Sequence, residues 1–279
     1  MRRTFPTRLA GVAAGVLLLA TACGDDDDSS GGPPDRPEEP AGATTTTGAA
    51  DGELAAYCEA ALAIEVVPDP DLDPSLTGAE ADAEAAAWVT EELQPLAEAV
   101  VANAPAEIAD DLSTQAAAVA EAAVTGDFSS FGGTEVDAAE ARTHEFDMAN
   151  CGWQAQTVTA TEYSFGEVPG TLTAGPTSFE LSNEGSELHE IVLARKNPGV
   201  TDSVEDIVAL PDEEALSRIT ELGSVHTDPG SSDYKVVDLE AGDYIMICFV
   251  PMGMTSEDAE ATDGAPHYTE GMVAEFTVT

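Results

Sequence analysis

Four side chains in the second half of the chain have the types needed to share one metal ion: His189, Cys248, His267 and Met272. His189 sits in the run ELHEIVLARK, Cys248 ends GDYIMIC, and His267 and Met272 stand five residues apart in HYTEGMVAEFTVT. Two imidazoles, a thiolate and a thioether form the donor set of a type 1 copper electron-transfer centre. The sulfur ligands suit soft Cu(I), and imidazole suits both oxidation states. A geometry held by the protein therefore lets an electron move with little rearrangement. A single histidine in a strand is usually not a ligand. This chain, however, has only four histidines, and two of them accompany the one cysteine that has no other assignment.

That assignment follows from counting. The cysteines are Cys23, Cys58, Cys151 and Cys248. Cys23 belongs to the N-terminal leader described below, which leaves three thiols in an exported chain where disulfides can form. The economical pairing joins Cys58 to Cys151 and leaves Cys248 for a metal. The alternative is that Cys248 is a small, inert core residue.

The elements that must position the donors fall into two regions. Residues 53–151 read as a small α-helical bundle of about four helices. Apolar residues recur at helical spacing around Trp88, Leu93, Leu96 and Val100, and again at Ile108, Leu112, Ala116, Val119 and Ala123. Pro95 predicts a kink, and Thr134-x-x-Asp137 resembles a capping box. His144 and Met148 lie one helical turn apart, a spacing more common in ordinary packing than in a metal site. Residues 152–279 read as a β-sandwich: QTVTATEYSF, TSFELSNEG, LHEIVLAR, DYKVVDLEAG, DYIMICFV and VAEFTVT are strand-length runs ending in Gly, Asn or Asp. IMICFV is apolar on both faces and predicts a central strand. A helical insertion is expected at about 201–222, with Ser203 as N-cap and Pro211 at a helix start. His226 is expected in a loop, away from the site.

On these residues the C-terminal region resembles the cupredoxins, the plastocyanin and azurin family. TAGPTSFELSNEG followed by SELHEIVL matches the surroundings of that family's first histidine ligand. GDYIMIC matches its cysteine strand, and HYTEGMVAEFTV its closing histidine, methionine and last strand. The resemblance covers roughly residues 155–279. It implies a mostly β Greek-key sandwich preceded by the helical bundle, and one type 1 copper ion on His189, Cys248, His267 and Met272. It further implies that an apolar rim (Phe249, Val250, Pro251, Met252, Met254) surrounds His267 where electrons enter and leave. In the family the closing histidine follows the cysteine by a few residues. Here the acidic stretch TSEDAEATDGA intervenes, which also brings Met252 and Met254 forward as substitute ligands. Lengthening a loop costs little closure entropy, about 0.6 kcal/mol per doubling.

Residues 1–23 carry Arg2, Arg3 and Arg8, then a short apolar run, then Ala20, Thr21, Ala22 and Cys23. The run is too short to span a bilayer. The segment resembles a bacterial lipoprotein signal, in which Cys23 becomes the lipidated first residue. An ordinary secretory signal is the alternative. Residues 24–52, rich in Gly, Pro, Ser, Thr and acid, read as a disordered linker. The expected location is the extracytoplasmic face of the cell membrane, lipid-anchored.

With 54 acidic against 9 basic residues the formal charge is −45. Phosphate backbones would be repelled, so nucleic acid is excluded as a partner. No His-x-His copper cluster and no nucleophile motif stands out, so an enzyme is not expected. The expected partners are a copper ion and a redox protein. The competing readings are a copper-sequestering or chaperone lipoprotein, favoured by the methionines and the acidic surface, and a metal-free cupredoxin-like interaction module.

Overall fold

The computed structural model describes residues 47–256, 259 and 262–279. The leader, Cys23 and most of the expected linker lie outside the described residues. Among the described residues no helix is long and apolar enough to cross a membrane.

Five α-helices come first: α1 (Thr47–Glu65), α2 (Ala79–Trp88), α3 (Gln94–Ala102), α4 (Ala109–Thr125) and α5 (Thr134–Asn150). Helix α1 begins inside the stretch read as linker. A π-helical segment, Val89–Leu93, joins α2 to α3 without a break in helical backbone. Pro95, near the start of α3, has no N–H to give the ladder, and the wider π turn absorbs the irregularity. Gly126 caps α4 in the left-handed region (φ 69°), and a Cβ there would lie 1.9 Å from the Asp82 carbonyl oxygen. Only glycine allows that approach. The capping-box reading of Thr134 does not hold. Gly133 is the N-cap, and Thr134 is the first helical residue.

A disulfide joins Cys58 on α1 to Cys151 just after α5. Beside it the buried Tyr57 hydroxyl donates to Asp147 Oδ1 at 2.7 Å. Asp147 is 5 % exposed, and burial pushes its carboxyl up to about 6, with the Tyr57 hydrogen bond opposing. A raised carboxyl pKa favours folding below the unfolded value and loses that contribution as pH rises through the folded one. At neutral pH the charged Asp147 therefore costs about 3 kcal/mol. Asp147→Asn keeps an acceptor for Tyr57 and removes the charge. It should stabilise the helical region at pH 8 by roughly 1–3 kcal/mol and have little effect at pH 4, which thermal unfolding at the two pH values would read.

The β-region has nine strands: β1 (Gln154–Thr161), β2 (Ser164–Gly166), β3 (Thr171–Leu172), β4 (Gly175–Asn183), β5 (His189–Lys196), β6 (Ile219–Thr227), β7 (Ser232–Leu239), β8 (Gly242–Ile247) and β9 (Val273–Val278). They form two sheets, ordered β2-β1-β4-β7 and β3-β9-β8-β5-β6, each with one parallel pair, β1 with β4 and β3 with β9. Strand β8 lies between β9 and β5 and obeys the period of two. Tyr244, Met246 and Cys248 belong to the core between the sheets, with Phe179, Leu181, Ile191, Leu193 and Phe276. Ile245 and Ile247 belong to a second cluster with Val204 and Ile207. Those two residues lie on α6 (Val204–Val208), which with α7 (Asp212–Leu216) makes up the insertion. The inserted helices thus explain why IMICFV is apolar on both faces.

The insertion is shorter than expected. Ile219–Leu222 begin β6, because Lys196 and Arg195 of β5 pair with Ile219 and Thr220, and ladder hydrogen bonds override the local helical pattern. His226 likewise lies in β6, paired in register with Glu190, and not in a loop. The two regions share a core in which Trp153 and Val236 pack with Tyr57, Val100 and Leu112. Tyr234 of β7 stacks on His144 of α5 at 3.6 Å between ring centres, and His144 Nε2 lies 3.0 Å from Ser178 Oγ. His144 therefore packs against the sheet.

Candidate metal centre

Three donors converge at one end of the sandwich. His189 is the first residue of β5, Cys248 directly follows β8, and His267 opens a short 3-10 turn, His267–Glu270, before β9. One donor atom from each lies within 4.8 Å of the others, and all three residues are buried. His189, His267 and Cys248 are each 0 % exposed.

The long connection from Cys248 to His267 closes by a pinch at its neck. Pro251 and Pro266 bridge as in an antiparallel pair. His267 N–H donates to the Val250 carbonyl at 2.9 Å, Tyr268 N–H to Cys248 at 3.0 Å, and Met252 N–H to Ala265 at 3.0 Å. The residues flanking the acidic stretch are thereby held together, and His267 meets Cys248 as it would on a short loop. Gly264 makes the neck possible, since a Cβ there would fall 2.3 Å from the Met252 carbonyl oxygen.

The donors are held from behind. His267 Nδ1 lies 3.4 Å from Cys248 Sγ, and its Nε2 lies 3.1 Å from Glu187 Oε2. A carboxylate on Nε2 fixes the proton there and leaves the Nδ1 lone pair facing the sulfur, as a metal ligand requires. The Glu190 backbone N–H points at Cys248 Sγ from 3.4 Å. His189 Nε2 lies 3.9 Å from Glu162 Oε1, and a Cβ on Gly185 would come within 2.7 Å of both atoms. Asn183 secures the turn before β5. Its amide donates to the carbonyls of Glu187 and Thr227, and its Oδ1 accepts from Gly185 N–H, each at 2.8 Å.

Burial governs the electrostatics. It pushes the Cys248 thiol up to about 12, with the nearby Glu190 carboxyl adding to the effect and backbone N–H groups opposing it. Burial draws His189 down to about 4, helped by neighbouring His267 and opposed by Glu162 and Glu187. His267 is also lowered by burial, against the Glu187 hydrogen bond. Without an ion the cluster is a neutral thiol beside two neutral imidazoles.

The residues fit a metal. Neither ring nitrogen of His189 has a hydrogen-bond partner, although the ring is fully buried. Such a group carries a desolvation penalty that coordination would offset. Trigonal donors about 2.0–2.3 Å from one ion stand about 3.5–4 Å apart, close to the observed sulfur–nitrogen separation. Soft thiolate with imidazole favours copper or zinc over hard cations.

Met272 is fully buried in the same core cluster as Cys248, and its carbonyl accepts from Cys248 N–H at 3.2 Å. Met252 and Met254 are half-buried. Of the residues expected as an apolar rim, Val250 accepts from His267 N–H and Pro251 bridges Pro266 beside it. The imidazole itself is fully buried, with Glu187 and the Tyr163 ring, 4.7 Å away, against it. Phe249 turns toward Tyr268 in the cluster beneath the inserted helices. Among 54 acidic residues, the two carboxyls behind the imidazoles carried no distinguishing signal beyond their nearness in sequence to His189 and Tyr163.

The β-region has a cupredoxin fold. Its two mixed sheets, their strand order and the position of the cluster at the ends of β5 and β8 and before β9 define it. No family model matches the chain, and no curated protein sequence does. Among solved structures, similarity is found to dithionite-reduced auracyanin from Roseiflexus castenholzii, 19 % identical over 45 % of this chain and 97 % of that one, with a TM-score of 0.31. Auracyanin B is 22 % identical over 45 % of this chain and 88 % of its own, with a TM-score of 0.30. A multicopper oxidase is 10 % identical over 45 % of this chain and 44 % of its own, with a TM-score of 0.26. Likeness at these levels carries no functional argument. The donor geometry does.

Proposed function

We propose that this protein is a type 1 copper protein that carries single electrons and does not itself catalyse a substrate reaction. The observation that supports it best is His189, fully buried with both ring nitrogens unpartnered, within reach of Cys248 and His267. His189, Cys248 and His267 would hold the ion, and buried Met272 would supply a weak thioether donor. Copper supplies the one-electron couple. The chain excludes water, keeps Nδ1 of His267 deprotonated through Glu187, and directs the Glu190 N–H at the sulfur, which favours thiolate over thiol. Lipid attached to Cys23 would tether the protein at the extracytoplasmic face of the cell membrane, beside its redox partner protein. One observation favours the sequestration reading: both imidazoles are fully buried, so neither ring edge meets solvent.

Cu(II) titration of the purified protein, followed by visible absorption and electron paramagnetic resonance, separates these readings. The expected result is an intense thiolate-to-copper band with narrow copper hyperfine splitting, abolished in Cys248→Ser. Copper bound without that band would favour sequestration, and failure to bind would overturn both.

A further inference from the structure

Two carboxylates stand behind the two imidazoles, and neither has another ion partner among the described residues. Glu187 is 17 % exposed in its side chain and Glu162 33 %. Both are pinned. Glu187 Oε2 accepts from Gly253 N–H at 2.6 Å as well as facing His267, and its Oε1 accepts from the Tyr163 hydroxyl at 3.3 Å. Glu162 Oε1 accepts from the backbone N–H of Ser186, from Ser186 Oγ at 3.0 Å and from Glu187 N–H at 3.1 Å. The chain has thus placed two fixed, partly desolvated negative charges beside its two imidazoles. Among the described residues, no lysine or arginine pairs with either.

We propose that Glu187 and Glu162 form an anionic bracket that makes the centre prefer a divalent over a monovalent ion. This rests on reading the cluster as a copper centre. Both are positioning residues. Glu187, which accepts from His267 Nε2, raises the electron density of that ring. Glu162, 3.9 Å from His189 Nε2 and not hydrogen-bonded to it, acts through space, and fixed negative charge stabilises the more highly charged metal. Screening is weak because both groups are partly buried. Each carboxylate therefore lowers the reduction potential relative to the same buried site without it. The carboxylate that covers His267 serves as the charge that tunes it.

The test compares wild type with Glu187→Gln and Glu162→Gln, each of which keeps an oxygen acceptor of the same shape. Glu98→Gln, on α3, controls for loss of net charge. Potentiometry of the copper protein is paired with two metal titrations that need no colour from copper: Co(II) by its own absorption and Ag(I) by chelator competition. Each bracket variant should weaken Co(II) and Cu(II) on the order of tenfold relative to Ag(I) and Cu(I). For a one-electron couple that is a rise of about 59 mV. Glu98→Gln should leave both ratios unchanged. Equal loss for both charge classes would mean that Glu187 and Glu162 only hold the loop, and would overturn the bracket, as would unchanged ratios. If the wild type shows no thiolate-to-copper band, the copper reading fails separately, and the Co(II)-to-Ag(I) ratios still decide the bracket.

Discussion

Replacing His189 with leucine is expected to make the metal-free protein more stable while abolishing copper binding. The imidazole is 0 % exposed, and neither of its nitrogens finds a partner. Leaving a buried polar group unpaired costs about 1–3 kcal/mol, whereas an apolar group of similar size avoids that penalty. Its surroundings can receive one: Leu188 and Ile191 pack in the adjoining core. Thermal unfolding of the apo proteins should therefore rank His189→Leu above wild type. Copper reverses the order. An ion held a thousandfold above its dissociation constant stabilises the folded state by about 4 kcal/mol, and only wild type has the complete donor set. The crossing of the two rankings is the diagnostic. If His189→Leu is less stable than wild type without metal, the imidazole has a structural role, and the argument from its unpaired nitrogens fails.

The ligand cluster was legible because its residue types are scarce. In a chain with four histidines and four cysteines, His189, Cys248 and His267 could be singled out by chemistry alone. The sandwich was legible from strands of period two, and the two-faced apolar run at Ile245–Ile247 correctly signalled a strand covered on both sides. What covered it was less clear. The start of β6 looked helical because Ile219 and Leu222 suit either period, and only pairing with β5 decides between them. The neck formed by Pro251 and Pro266 was hidden for a similar reason. Contacts that turn a long loop into a short one join residues far apart in sequence and leave no periodic trace. Glu162 and Glu187 were invisible for the opposite reason. Carboxyls are so abundant here that the two facing inward look like all the others.

Removing the Cys58–Cys151 disulfide as Cys58→Ser/Cys151→Ser should cost the helical region about 4–5 kcal/mol. The bond closes a loop with a sequence separation of 93 residues, and a cross-link of that span restricts the unfolded chain heavily. The folded side has little to compensate with. Half of the buried apolar residues described in the bundle are alanine (Ala61, Ala85, Ala97, Ala118, Ala122 and Ala139), which buries little apolar area per residue. Next to the disulfide, the buried Asp147 charge at neutral pH is a desolvation cost that the Tyr57 hydrogen bond only partly offsets. A domain with only about 5–15 kcal/mol in total would lose a large share of it. Helical circular dichroism should then melt well below the wild-type transition. The copper absorption, which reports on β5, β8 and the loop before β9, should persist to a higher temperature than the helical signal. Coincident loss of both signals would show that the two regions unfold as one unit through their shared core at Trp153 and Val236. A shift smaller than about 1 kcal/mol would show that packing against the sheet, and not the cross-link, holds α1 in place.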